Sequence, residues 1–278
     1  GNNTIYLQEC VEWPTGSVIL LTTTHLIDTR RHNWNEKVTI ASVSCETRIV
    51  AGFPYSFGKI VTASRLKYSH YAKVYEYQAE VAILSRNIVI RGDTLSIPYD
   101  PQPSNVVCSD NKRSDVPCSN YYLTGYGGHM LISEQASAEI SSVEFFRMGQ
   151  TNQIGRYPIH LHMLQDNGRK SRIADSSVHE SFYRGIVIHA TNHSVVTRNV
   201  AYDIIGHCYY LDSGNEEFNE ISYNLGAHIH TIGYLENFVG QETETVFTKD
   251  TSHPAIVPAD AAAAPFYISN LHNNLTGN

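Results

Sequence analysis

Charge is in short supply. Asp, Glu, Lys and Arg make up 17% of the 278 residues, below the roughly 25% of an ordinary soluble domain. The 27 acidic and 20 basic side chains leave a formal net charge of −7. That balance excludes a basic nucleic-acid binder, and the low total excludes a coiled coil or a disordered tail. No run approaches the roughly 18 apolar residues of a membrane span. Methionine occurs only 3 times, and the sole helix-like stretch, Ala259 to Ala264, is too brief to anchor a helical layer. What is there is a hydrophobic content of 42%, enough for a real core, together with 18 tyrosines and 14 histidines. The histidines exceed what packing alone would ask for.

Five cysteines bear on the compartment. Cys108 and Cys118 bracket a polar loop that burial could not hold together, and a disulfide closing it is expected. Cys10 and Cys45 flank strand-like segments and could pair as well, whereas Cys208 sits in an apolar-aromatic stretch and reads as a buried thiol. Three N-x-[ST] sequons, at Asn2, Asn192 and Asn274, add candidate glycosylation sites. Together these favour an extracellular or cell-surface protein of the secretory pathway. No signal peptide is present, and the chain runs from Gly1 into a strand-like end as an excised piece of something longer would.

Short strands rich in β-branched residues dominate: Ser17 to Thr24, Val38 to Ile40, Ala79 to Leu84 and Asn87 to Ile90. The second half repeats. Overlaying Ser177 onward on Asn199 onward matches Val178 with Val200, Gly185 with Gly206 and Asn199 with Asn224. A period of 21 to 25 residues without helix predicts an all-β fold, a right-handed parallel β-helix preceded by a small, irregular β unit. A β-sandwich with accidental spacing is the ordinary alternative. Asn199 and Asn224 should stack at turns, where Asn tolerates the left-handed region and forms side-chain ladders. The expected organisation is a β-rich N-terminal unit over 1–98, a disulfide-closed insertion over 99–119, and β-helix coils over 120–278. The first unit reads as a small barrel or sandwich, or else as irregular first coils.

Several strings resemble one extracellular family. They are Glu12-Trp13-Pro14-Thr15-Gly16, Ala79 to Gly92, Gly127-Gly128-His129, Gly155-Arg156-Tyr157-Pro158-Ile159-His160-Leu161-His162 and Gly206-His207-Cys208-Tyr209-Tyr210. The family comprises the cell-migration-inducing hyaluronidase, its transmembrane relative and fibrocystin-L, which carry an eight-glycine β domain followed by parallel β-helix repeats. The resemblance runs from about residue 10 to 278, and Arg156 to His162 is its most specific part. It implies an extracellular β-helix, linked in some members to hyaluronan binding and depolymerisation, and in fibrocystin-type members to a surface-coat role without established catalysis. The chain reads Leu211-Asp212-Ser213-Gly214 where members tend to have Glu-Asp-Gly, so one carboxylate is missing. The eight-glycine domain is at most partly present.

The residues also suggest a site of their own. His160 and His162, two apart, share one face of a strand while Ile159 and Leu161 share the other. Overlaying Pro158 on Gly185 sets Ile159 on Ile186, Leu161 on Ile188 and His162 on His189. Imidazoles from adjacent rungs could then converge on one divalent ion, zinc or calcium, with His207 or Asp212 completing the shell. A hydrogen-bonded histidine ladder without metal is the competing reading. His129 is a further candidate; the remaining histidines, His179, His228 and His230 among them, show no convergent pattern. If the site is catalytic, His160, His162, His189 and Asp212 would carry it, through a metal or a histidine of near-neutral pKa. A glycosidase would need paired carboxylates, and Asp175, Glu180, Asp203, Asp212 and Glu216 do not pair convincingly. Arg156 and Arg184 could neutralise uronate carboxylates, and Tyr157 and Tyr210 could stack on sugar rings. Structural ion pairs and packing explain the same residues. The expected partners are a hyaluronan-like glycosaminoglycan or another glycan, and either the rest of a longer β-helix or neighbouring copies. The alternatives are a non-catalytic matrix or adhesion protein and a carbohydrate-binding module without turnover.

Overall fold

A computed structural model describes residues 2–26, 33–73, 77–92, 125–151, 153–230 and 262–278. The expected Cys108–Cys118 disulfide, the 99–119 insertion and the start of the alanine stretch, 259–261, lie outside these residues. The chain divides into two units, Gly1–Arg86 and Asn87–Asn278.

The first unit is one antiparallel sheet rather than a set of first coils. Its strands are β1 (Thr4–Leu7), β2 (Val18–Leu21), β3 (Glu36–Val50), β4 (Phe53–Thr62) and β5 (Val81–Ile83), in the order β1-β4-β3-β2-β5. Buried and exposed residues alternate from Glu36 to Ile40, as a half-buried strand requires. Ile5, Ile19, Leu21, Val38, Ile40 and Ile60 form the core. Cys10 and Cys45 are disulfide-bonded. Glu36, 5% exposed, accepts the Lys67 and Tyr68 N–H groups at 2.8 and 3.0 Å and lies 2.9 Å from His70 Nε2. Burial alone would raise its pKa; those donors outweigh it and hold the carboxyl below its ordinary value.

The second unit is a parallel β-helix of three five-stranded sheets. One runs β6 (Ile88–Arg91), β9 (Val143–Phe146), β12 (Ser177–Ser181), β15 (Val200–Ile205), β18 (Leu225–His230). The second runs β7 (Leu131–Ser133), β10 (Ile159–Gln165), β13 (Ile186–Thr191), β16 (Tyr209–Leu211), β19 (Phe266–Tyr267). The third runs β8 (Glu139–Ser141), β11 (Arg172–Ala174), β14 (Val195–Thr197), β17 (Glu220–Ser222), β20 (Asn274–Thr276). Each sheet sends apolar columns into the coil. Ile132, Leu161, Ile188 and Leu211 stack in register, as do Ile140, Ile173, Val196 and Ile221, and Ile90, Phe145, Val178 and Ala201. Cys208 is buried in this core, and burial pushes its thiol pKa up.

The corners explain the repeat and correct its register. Asn199 N–H and Nδ2 both donate to Asn224 Oδ1, at 3.0 and 3.1 Å, 25 residues apart, as the ladder expectation required. The column extends from Ser176 below to Asn278 above, and a second ladder joins Ser194, Asn219 and Asn273. The left-handed residues are not the ladder residues Ser176, Asn199 and Asn224 themselves but those before them: Asp175, Arg198 and Tyr223, with φ of 52°, 54° and 56°. Val178 pairs with Ala201, not Val200, and Ile186 pairs with Tyr209, which removes Gly206 from opposite Gly185. The two glycines serve different needs. Gly206 has φ 83°, whereas a Cβ on Gly185 would lie 2.5 Å from the Cys208 carbonyl oxygen.

Candidate metal centre

Because Ile159 and Leu161 fill the coil, their neighbours His160 and His162 stand on its outer face. His162 pairs with His189 one rung on, and Ser133 pairs with His162 one rung back. Asp212 donates its N–H to the Ile188 carbonyl at 3.0 Å, which sets it beside His189 in the following rung. One ligand nitrogen from each of His160, His162 and His189 lies within 4.8 Å of the others. The His162 and His189 ring centroids are 4.9 Å apart, and those of His160 and His162 are 5.0 Å apart.

His160 is the anchor of the cluster. It is 2% exposed, with the Tyr157 ring against it edge-on at 4.9 Å. Its Nδ1 lies 3.2 Å from the Gly155 carbonyl, an acceptor, so Nδ1 carries the proton and Nε2 presents its lone pair. That Nε2 is buried and has no hydrogen-bond partner among the described residues. Burial pushes the His160 pKa down to about 3, and the neighbouring His162 and His189 act in the same direction. His162 is lowered too, by burial and then by His189, against the opposing pull of Asp212. A buried, neutral His160 whose Nε2 has no hydrogen-bond partner among the described residues, with ligand atoms of His162 and His189 close by, fits a divalent metal.

The remaining candidates surround this cluster at different depths. His189 Nδ1 lies 3.9 Å from Asp212 Oδ2, and Arg184 Nη1 lies 3.8 Å from Asp212 Oδ1. Arg184 is buried, with its guanidinium 3.9 Å from the Tyr210 ring centroid and Nη1 donating to Tyr157 Oη at 3.2 Å. Tyr157 and Tyr210 are buried as well, so this layer backs the imidazoles. Arg156 donates to Gln150 Oε1 at 2.5 Å. His207 does not join the three histidines: its Nδ1 accepts the Ala264 N–H at 3.0 Å, and its ring stacks on Tyr210 at 5.0 Å. His129 is exposed and also outside the cluster.

Two of the five carboxylates hold the fold. Arg198 clamps Asp175 at 2.7 and 2.8 Å, and buried Glu216 accepts the N–H groups of Ala190, Ser213 and Gly214. Asp203 does something the sequence reading missed. It meets His228 and His230, for which no convergence was expected, with ligand atoms again within 4.8 Å. The signal was available, since His228-Ile229-His230 repeats the spacing of His160-Leu161-His162. Of the sequons, Asn2 and Asn274 are exposed. Asn192 is engaged at both ends, donating to Asp166 Oδ1 and accepting the Glu217 N–H.

The sequence profile described as CEMIP beta-helix matches residues 125–278. The whole chain aligns at 41% identity with 16% of a G8 domain-containing protein of Dictyostelium discoideum. It aligns at 37% with 21% of Communication mutant protein F of the same organism, and at 31% with 6% of mouse Fibrocystin-L. The chain thus spans about a fifth or less of these curated relatives.

Proposed function

Because the chain belongs to the CEMIP beta-helix family, we propose that it is an extracellular, glycan-directed segment of a longer protein that engages a hyaluronan-like polyanion through a divalent ion at His160, His162 and His189. The observation that carries this reading is the convergence of three imidazoles on one outer face, together with a buried His160 Nε2 that has no hydrogen-bond partner among the described residues. Three nitrogens suit a zinc-class ion, whereas calcium asks for six to eight oxygens. A bound ion supplies a positive centre for carboxylates and a Lewis acid. The chain's own residues have narrower tasks. The Gly155 carbonyl fixes the tautomer of His160, Asp212 braces His189, and Arg184 holds Asp212 against the coil. A local positive centre is needed because a net charge of −7 opposes a polyanion. The Cys10–Cys45 disulfide supports an oxidising, extracellular compartment.

A rigid, non-catalytic surface rod is the second reading. It is favoured by the use of Asp175 and Glu216 in structural contacts, which withdraws both from a glycosidase pair. Hyaluronan oligosaccharide binding and polymer length should be measured with zinc, with chelator, and in His162→Ala. Zinc-dependent binding that weakens at least about tenfold in the variant, about 1.4 kcal/mol, supports the site. Shortening of the polymer adds depolymerisation, and unchanged length leaves a binding role. Equal binding with zinc and with chelator sinks the metal-mediated reading, and no binding in either sinks the glycan reading itself.

A further inference from the structure

We propose that Asp203, His228 and His230 form a second, independent site for a zinc-class ion, on a different sheet from the three-histidine cluster. Ala201 and Ile204 both pack in the core although they are three residues apart. The extra residue is absorbed at Asp203, in the left-handed region with φ 57°, and this leaves its carboxylate on the outer side of β15. The next rung repeats the device. Tyr202 pairs with Ala227 and Ile204 with Ile229, so His228, at φ 55°, falls opposite Asp203. His230 then follows at the end of β18, paired with Ile205.

The side chains converge across these two rungs. His230 Nε2 is 2.8 Å from Asp203 Oδ1, and the His228 and His230 rings meet edge to face at 4.4 Å. Both histidines are buried, at 6% and 5% exposure, while Asp203 is half-buried. The Tyr202 ring stacks on His228 at 5.9 Å and limits its rotation. Two imidazole nitrogens and one carboxylate oxygen are a donor set for zinc, with the fourth position left to water. In the metal-free chain the short Asp203–His230 contact is bridged by a proton, which an incoming ion displaces. An ion here ties β18 to β15.

Cobalt(II), a visible-absorbing stand-in for zinc, should be titrated into the metal-free chain and into His230→Gln, Asp203→Asn and His162→Ala variants, with circular dichroism to establish folding. The chain should take up two ions, and each of the three variants one. Should the three-histidine cluster bind nothing, the chain takes up one ion and His230→Gln takes up none. The loss of one ion on His230→Gln therefore tests this site whatever becomes of the other. Asp203→Asn, which keeps shape and removes charge, carries the same count if His230→Gln does not fold. Stoichiometry and spectrum unchanged in the folded variants would overturn the proposal.

Discussion

Two buried histidines of the β-helix, His160 and His179, meet opposite surroundings. His160 faces two other imidazoles and a carbonyl, and burial keeps it neutral. His179 lies 3.1 Å from Glu144 Oε1 through Nε2, and 3.8 Å from Glu180 Oε1 through Nδ1. Burial alone would lower its pKa, but the two carboxylates outweigh it and the net shift is upward. A raised folded-state pKa means that the folded chain keeps a proton the unfolded chain has released. The resulting stability is complete below the unfolded value of about 6.5 and is lost as pH rises through the folded value. His179→Gln should therefore lose more stability, relative to the unaltered chain, at pH 5.5 than at pH 9. Urea denaturation at the two pH values measures this; an equal loss at both would show that His179 is not charged. At this scale the first cluster was legible, because residues two apart on a strand share a face and the His162–His189 overlay held. The second was not. The 25-residue step from Asn199 to Asn224 also carries Asp203 towards His228, but both residues sit in the left-handed region, where the plain alternation of a strand breaks and no shared face can be read from spacing.

At the scale of elements, the asparagine ladders bear the corners. Asn224 accepts the Asn199 N–H and side chain, and donates to the Val196 carbonyl at 2.9 Å and to Asn278 Oδ1 at 3.0 Å. Removing that amide strands two backbone groups of the preceding corner, the Asn199 N–H and the Val196 carbonyl, at about 1–3 kcal/mol each. Asn224→Ala is accordingly expected to cost about 2–4 kcal/mol in chemical denaturation, far more than its lost contact area would suggest; a cost below about 1 kcal/mol would mean that water satisfies the corner instead. Equal spacing of Asn199 and Asn224 made this ladder readable from sequence. Glycine misled the overlay because one residue type answers two demands, a left-handed φ at Gly206 and an absent Cβ at Gly185. Sequence records the residue and not the reason.

For the whole molecule, the difference between the two units is one of contact topology. The β-helix stacks rung on rung, so each coil is stabilised by its immediate neighbours. The antiparallel unit has its own core, and its disulfide joins residues 35 apart. Loop-closure entropy at that separation stabilises the unit by about 3–4 kcal/mol. The Cys10→Ser, Cys45→Ser chain should then unfold in two transitions, the lower belonging to Gly1–Arg86 and shifted by several degrees, while the Asn87–Asn278 transition stays put. Calorimetry of the oxidised chain and the double variant separates the outcomes. Movement of both transitions together would make the units one cooperative block. The β-helix was legible from its period, and β2, part of β3 and β5 from their β-branched runs, whereas β1 and β4 were not read. The antiparallel order was not, because β1 pairs with β4 and β2 with β5 across long stretches of chain, and no local pattern encodes such partners. A disulfide that crosses this sheet is thus expected to stabilise the least locally encoded part of the fold, and the shift of the lower transition alone is the measurement that would establish it.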